Sequence, residues 1–236
     1  MAIAERASQR ATNSTPSGAA TCDITLPLSV TAGDLITVKG GVWQTSLPTI
    51  SVARQSGATI GAVTVKQGSS GAFYASGYGV PFLAYAVASG SGTLTLRVST
   101  NVGSGNYYNI CCDAFSGNAI TLDVDGGEST GAAGTDPLDS ITTLTSGALL
   151  ISAVIAGGYA DGWGVGSGYT KIADDIASTV QAYAAAFKIA GAPGAYTVDW
   201  DLVDNTRAWS MVSVALKETT AATIVRQAMH ARRMRS

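Results

Sequence analysis

ITLPLSVTAGDLITVKGGV, residues Ile24–Val42, reads as a strand, a tight turn and a second strand. Thr31-Ala32-Gly33-Asp34 is the turn, with Gly33 free to take positive φ and Asp34 able to bond its own backbone. Beyond it Leu35, Thr37 and Lys39 alternate with Ile36, Val38 and Gly40, the period of a strand. The theme returns as LTSGALLISAVI from Leu144 to Ile155, where Ser146-Gly147-Ala148-Leu149-Leu150 matches Ala32-Gly33-Asp34-Leu35-Ile36.

The echo extends further. The segment starting at Phe187 (FKIAGAPGAYTV) matches the one starting at Tyr85 (YAVASGSGTLTL) at an offset of 102, and Ser213-Val-Ala-Leu matches Cys112-Asp-Ala-Phe at an offset of 101. The matched pieces keep the same order in both halves, which marks an internal repeat. Each half holds about five segments with strand alternation, as in Thr93–Ser99 and Thr197–Leu202, so antiparallel sheets are expected. Two such sheets face to face make one sandwich with pseudo-two-fold repetition. Residues 118–140, rich in Gly and Asp, read as loop.

Hydrophobic residues make up 46% of the 236, enough for a sizeable core, whereas charged residues are only 13%, about half the usual share. Such a surface, rich in small uncharged residues, suits close packing against copies of the same chain. The net charge of −2 gives no reason to expect nucleic acid or an anionic membrane as partner. No run of 18 apolar residues and no secretory h-region occur. Cys22, Cys111 and Cys112 are an odd set with an adjacent pair, so they read as buried hydrophobes made in a reducing cytoplasm.

The two ends differ from the middle. Residues 1–21 are small and polar and read as an N-terminal arm. Residues 218–236 carry Arg226, Arg232, Arg233, Arg235 and His230 with Glu218 as their one acid, and their apolar positions Ile224, Val225, Ala228 and Met229 suit a short basic amphipathic helix. A helix of that length needs something to pack on. Its apolar face (Ile224, Val225, Met229) and its arginines (Arg226, Arg232, Arg233) are the candidate partner-docking residues.

Several short pieces together resemble the jelly-roll β-sandwich proteins of tailed-phage and prophage virions: Leu26-Pro27, Ala32-Gly33-Asp34-Leu35, Ala86-Val87-Ala88 with Thr93-Leu-Thr-Leu, Ala114-Phe115-Ser116-Gly117, Gly168-Tyr169-Thr170, and Trp209 with Val212-Ser-Val-Ala-Leu-Lys. The resemblance spans about residues 22–217. It implies an all-β, antiparallel jelly-roll-like sandwich in a structural role: capsid decoration, head fibre, collar or tail. It brings no catalytic residue with it. The expected chain is therefore an arm (1–21), a sandwich domain (22–217) and a helix (218–236). It is expected to be non-enzymatic, free of cofactors, made in a host cytoplasm and built into a virion among capsid or tail proteins and copies of itself. The alternative is a carbohydrate- or receptor-binding module.

Chemistry-bearing residues are sparse. The single histidine, His230, lies in the tail, which argues against a Ser-His-Asp or Cys-His nucleophile. Asp123, Asp125 and Glu128 around Gly126-Gly127 are a calcium candidate, but the full ligand spacing is missing and a solvated acidic turn is the preferred reading. Asp199 and Asp201 share one strand face, and Asp174-Asp175 sit near a turn; both pairs read as surface rather than a glycosidase dyad. Trp200 and Trp209 lie in strands and read as core. Trp163, between Gly162 and Gly164, reads as exposed and forms with Tyr159 and Tyr169 the candidate glycan or contact platform.

Overall fold

The computed structural model describes residues 3–69, 71–72, 77–117, 120–157, 163–175, 181–202 and 207–219. Every regular element among them is a β-strand. Nine lie in the first half: β1 (Ala4–Ala19), β2 (Thr21–Thr25), β3 (Leu35–Gln44), β4 (Ile50–Gly57), β5 (Thr64–Gln67), β6 (Gly71–Ala72), β7 (Tyr78–Val87), β8 (Leu94–Thr100) and β9 (Asn106–Ser116). Eight follow: β10 (Ile120–Gly131), β11 (Leu138–Thr143), β12 (Leu149–Gly157), β13 (Trp163–Val165), β14 (Thr170–Asp175), β15 (Gln181–Ile189), β16 (Gly194–Leu202) and β17 (Trp209–Glu218).

The strands form four antiparallel sheets. In the first half β1-β9-β3-β7-β5, with β6 also on β7, lies opposite β2-β8-β4; in the second β10-β17-β12-β15-β14 lies opposite β11-β16-β13. Apart from β6, the two halves have one and the same strand order. The repeat read from the sequence is thus a repeat of whole sandwiches. Leu35 pairs with Val87 and Phe115, and its counterpart Leu149 pairs with Ile189 and Leu216, which preserves the offsets of 102 and 101.

The turn that opens each central strand is built alike. Gly33 (φ 96°) and Gly147 (φ 74°) take the left-handed region that glycine enters without steric cost. Their N–H groups donate to Ala88 O and Ala190 O, both at 2.8 Å. In the first half the Asp34 carboxylate also accepts the Thr31 N–H at 2.8 Å, the local bond that its position in the turn predicts.

Three seams of apolar side chains join the four sheets. Ile36, Val38, Phe82, Leu96, Val98 and Ile110 fill the first sandwich. Val154, Trp163, Val198, Trp200 and Met211, continued by Ile141 and Leu150, fill the second. Between them Leu35, Leu83, Cys111 and Phe115 meet Ile151, Ile155, Tyr183, Phe187 and Val212. The two large sheets are therefore stacked back to back, and every residue of β3 and of β12 is buried. β7 packs on β12 and β15 on β3, a reciprocal arrangement like an isologous dimer within one chain.

This corrects the expected architecture. There is not one jelly-roll-like sandwich but two open ones in four layers, and among the described residues no sheet closes on itself. The alternation in β3 marks a strand, as expected, but neither of its faces meets solvent, because the second is covered by the other half. Most of residues 1–21, expected as an arm, is the edge strand β1: Ala4–Ala19 pairs along β9, and Arg6 reaches the Asp34 carboxylate at 2.5 Å. Polar side chains suit this strand because the backbone ladder, not apolar burial, holds it. No helix occurs among the described residues. The helix expected in 218–236 falls almost wholly on residues 220–236, outside the described residues; Glu218 ends β17.

A Cβ added at Gly41 would lie 2.3 Å from Ile155 Cγ2, across the seam between the halves. Gly41→Ala is expected to cost about 1–3 kcal/mol by overpacking. Ile155→Ala alone should cost about 2–5 kcal/mol, and the double variant should recover part of the sum, with a coupling of roughly 0.5–3 kcal/mol in urea unfolding. Strict additivity would contradict the stacking of the two sheets.

Candidate functional site

The three acids of the calcium candidate are spent on separate tasks. Asp123 Oδ2 accepts the N–H groups of Leu144 (2.8 Å) and Thr145 (3.3 Å), and Oδ1 accepts the Thr145 hydroxyl (2.7 Å) and faces Lys217 Nζ at 3.2 Å. Asp125 pairs with Lys66 of β5, whose Nζ also donates to Ser213 O at 3.1 Å. Glu128 accepts the Ser69 hydroxyl. Asp123 is thus a turn cap, and Asp125 and Glu128 tie the second sandwich to the first. Among the described residues no group of three or more His, Cys, Asp or Glu is placed to hold a metal ion.

The aromatic platform is not assembled as expected. Trp163 is only 3% exposed and packs edge-on against Trp200, ring centroids 6.0 Å apart. Its indole fills the second core because β13 pairs with β16 and turns that face inward. Tyr169 is half-buried; one ring neighbour is the Lys188 ammonium at 5.1 Å, which also lies 5.3 Å from the Tyr196 ring. Burial first, then the negative charge of Asp139, pushes the Tyr169 hydroxyl well above the ordinary phenol range. Tyr159 lies outside the described residues, as do all six docking residues, Ile224, Val225, Arg226, Met229, Arg232 and Arg233, and His230.

Other expectations hold. Trp200 and Trp209 are core, at 0% and 6% exposure. Asp199 and Asp201 lie on the exposed face of β16. The three cysteines are free and buried, with Cys112 in the first core and Cys111 on the opposite sheet face. Burial, with Asp23 nearby, pushes the Cys22 thiol up to about 12, and burial pushes Cys111 up to about 11.

What the sequence reading missed is the pair of sheet flanks. β1 and β10 are the outermost strands of the two large sheets, 16 and 12 residues long, and among the described residues nothing pairs with their outer edges. Leu28, half exposed, stands beside β1, where its N–H reaches Gln9 Oε1 at 3.4 Å. Leu122 and Leu144, exposed at 44% and 68%, flank the Asp123 cap beside β10. The flanks could not be found by periodicity, since both strands are bulged: Ser8 and Gly127 take positive φ next to register shifts.

No family model, no curated protein and no solved structure matches the chain. Among the described residues no helix is long and apolar enough to cross a membrane.

Two outcomes follow from these environments. Burial works against the Asp123 charge, but the bonds from Thr145, Leu144 and Lys217 outweigh it and hold the carboxyl below its usual range. The folded state thus favours the ionised form. Its contribution is full above the ordinary aspartate value near 3.9 and is lost as pH falls through the lower folded value. Asp123→Asn should cost about 1–3 kcal/mol near neutrality and flatten the acid limb of a urea-unfolding pH series. Thiol titration with an aromatic disulfide should find no reactive cysteine until the protein is unfolded; labelling of the native state would contradict the packing of all three.

Proposed function

We propose that the chain is a non-enzymatic structural protein that is built, by its sheet flanks, into a larger assembly, and that this assembly is a phage virion. The observation that carries the assembly role is the pair of long open edges with exposed leucines beside them. Unpaired strand edges are sites where a second chain adds its own backbone, and apolar side chains at the edge make that pairing favourable. Low charge density serves the same end, since few ions need to be stripped of water when copies close on each other. The virion as the setting rests on the resemblance of residues 22–217 to phage sandwich proteins. With Trp163 in the core, the glycan-binding alternative loses its main residue.

Sedimentation velocity of the full chain over a concentration series tests the assembly. A discrete oligomer is expected, and Leu122→Glu with Leu144→Glu should return it to monomers with an unchanged unfolding temperature. Peptides of the chain should be found in purified virions. A wild-type chain that stays monomeric at all concentrations and is absent from particles overturns the reading, and selective retention on a glycan surface would replace it with the carbohydrate-binding one.

A further inference from the structure

Lys39 on β3 and Asp113 on β9 are both 0% exposed and touch each other, Nζ against Oδ1. Asp113 stands opposite Thr37 and Lys39 opposite Cys111, so both side chains lie on one sheet face, at the seam between the two halves. The Thr37 hydroxyl donates to the same Oδ1. The Phe115 ring lies 5.8 Å from Nζ. Asp113 Oδ2 is buried with no hydrogen-bond partner.

An ion pair in this place is costly, because both charges leave water and one carboxylate oxygen is left unsatisfied. The fold does not require it. The repeat places Ile151, Ala153 and Val214 of the second sandwich at the positions of Thr37, Lys39 and Asp113, with Ile151 opposite Val214 as Thr37 is opposite Asp113. One sandwich packs the seam with apolar side chains, and the other holds an amine against a carboxyl group in a site closed to solvent.

The geometry points to a covalent modification: an intramolecular isopeptide bond between Lys39 Nζ and Asp113 Cγ. Proton transfer along the existing contact converts the ion pair to a neutral amine and a neutral carboxylic acid, with no charge left in the apolar site. The Nζ lone pair then attacks Cγ. That transfer makes Oδ1 the hydroxyl of the acid, so the charge of the tetrahedral intermediate forms on Oδ2. A second proton passes from Nζ to Oδ1, which departs as water with the Thr37 hydroxyl bonded to it. Oδ2 becomes the carbonyl oxygen of the amide, and Nζ keeps one proton. The step is a condensation that needs no oxidant, reductant or cofactor. Held contact supplies the effective concentration of the two groups, and exclusion of water protects the product from hydrolysis. The bond ties β3, the central strand of the first large sheet, to its neighbour β9, so that tension on the chain cannot part the two.

Intact-mass spectrometry of the purified, folded full chain is the test. The expected mass is one water short of the sequence, with fragmentation of the digest placing the loss in a branched peptide that joins Lys39 to Asp113. Lys39→Ala and Asp113→Ala should each restore the full mass for their sequence; if either variant does not fold, the branched peptide of the wild type decides alone. The full sequence mass in the folded wild type overturns the proposal. So does a missing water that maps elsewhere, such as a cyclic imide at Asp125-Gly126 or Asp161-Gly162, which gives the same mass without a branch.

Discussion

The contact between the backs of the two large sheets is the constraint on which the rest of the molecule depends. A sheet covered on one side can alternate apolar and polar residues, but a sheet covered on both must be uncharged nearly throughout. β12 meets this with LLISAVIAG and β15 with a run of alanines, all buried. Small residues such as Gly41, Ala153 and Ala185 let the sheets approach, and larger ones such as Ile155 and Tyr183 fill the gaps that result. The low charge content of the chain follows from this geometry as much as from any partner, because the central strands of two of its sheets have no solvent face.

Much of this was legible in the sequence where turn chemistry and period carry the information. The Gly33 turn, its copy at Gly147, the offsets of the repeat, the inward Trp200 and the split of Cys111 from Cys112 across a sheet all depend on local rules. The number of layers depends on what covers the second face of a strand, and the even apolar run of β12 was its best signal. β3 concealed the same fact, because Lys39 and Thr37 look like solvent-facing residues. β1 and β10 were illegible for another reason: an edge strand is held by backbone bonds on one side, and those leave little trace in side-chain pattern. Trp163 misled because flanking glycines suggest a loop, while the indole itself is a large apolar group that the second core takes in.

The two halves share topology but not chemistry. At the central seam the first sandwich contributes Lys39, Asp113 and Thr37, and the second contributes only apolar groups at the same positions. At the periphery the polarity is shared, with Lys66 of the first half held by Asp125 and by a backbone carbonyl of the second. Burial lowers the proton affinity of Lys66, and the acids Glu128 and Asp139 only partly restore it. The interface is thus reciprocal in topology but not in chemistry.

In each half the first strand pairs with the last: Ala4 faces Ser116 and Ile120 faces Glu218. A ribosome therefore releases the whole of one sandwich before its large sheet can be completed, and then starts on the second within a few residues. Closure across so long a stretch makes the folding of each unit slow relative to local structure, since chain entropy is spent before the ladder forms. The first sandwich can finish while the second is still being made, but its large sheet then waits with its back uncovered, exposing Leu35, Leu83 and Phe115 to water. The nascent chain thus passes through a stage in which its stickiest surface is bare, and the time spent there is set by the rate of translation.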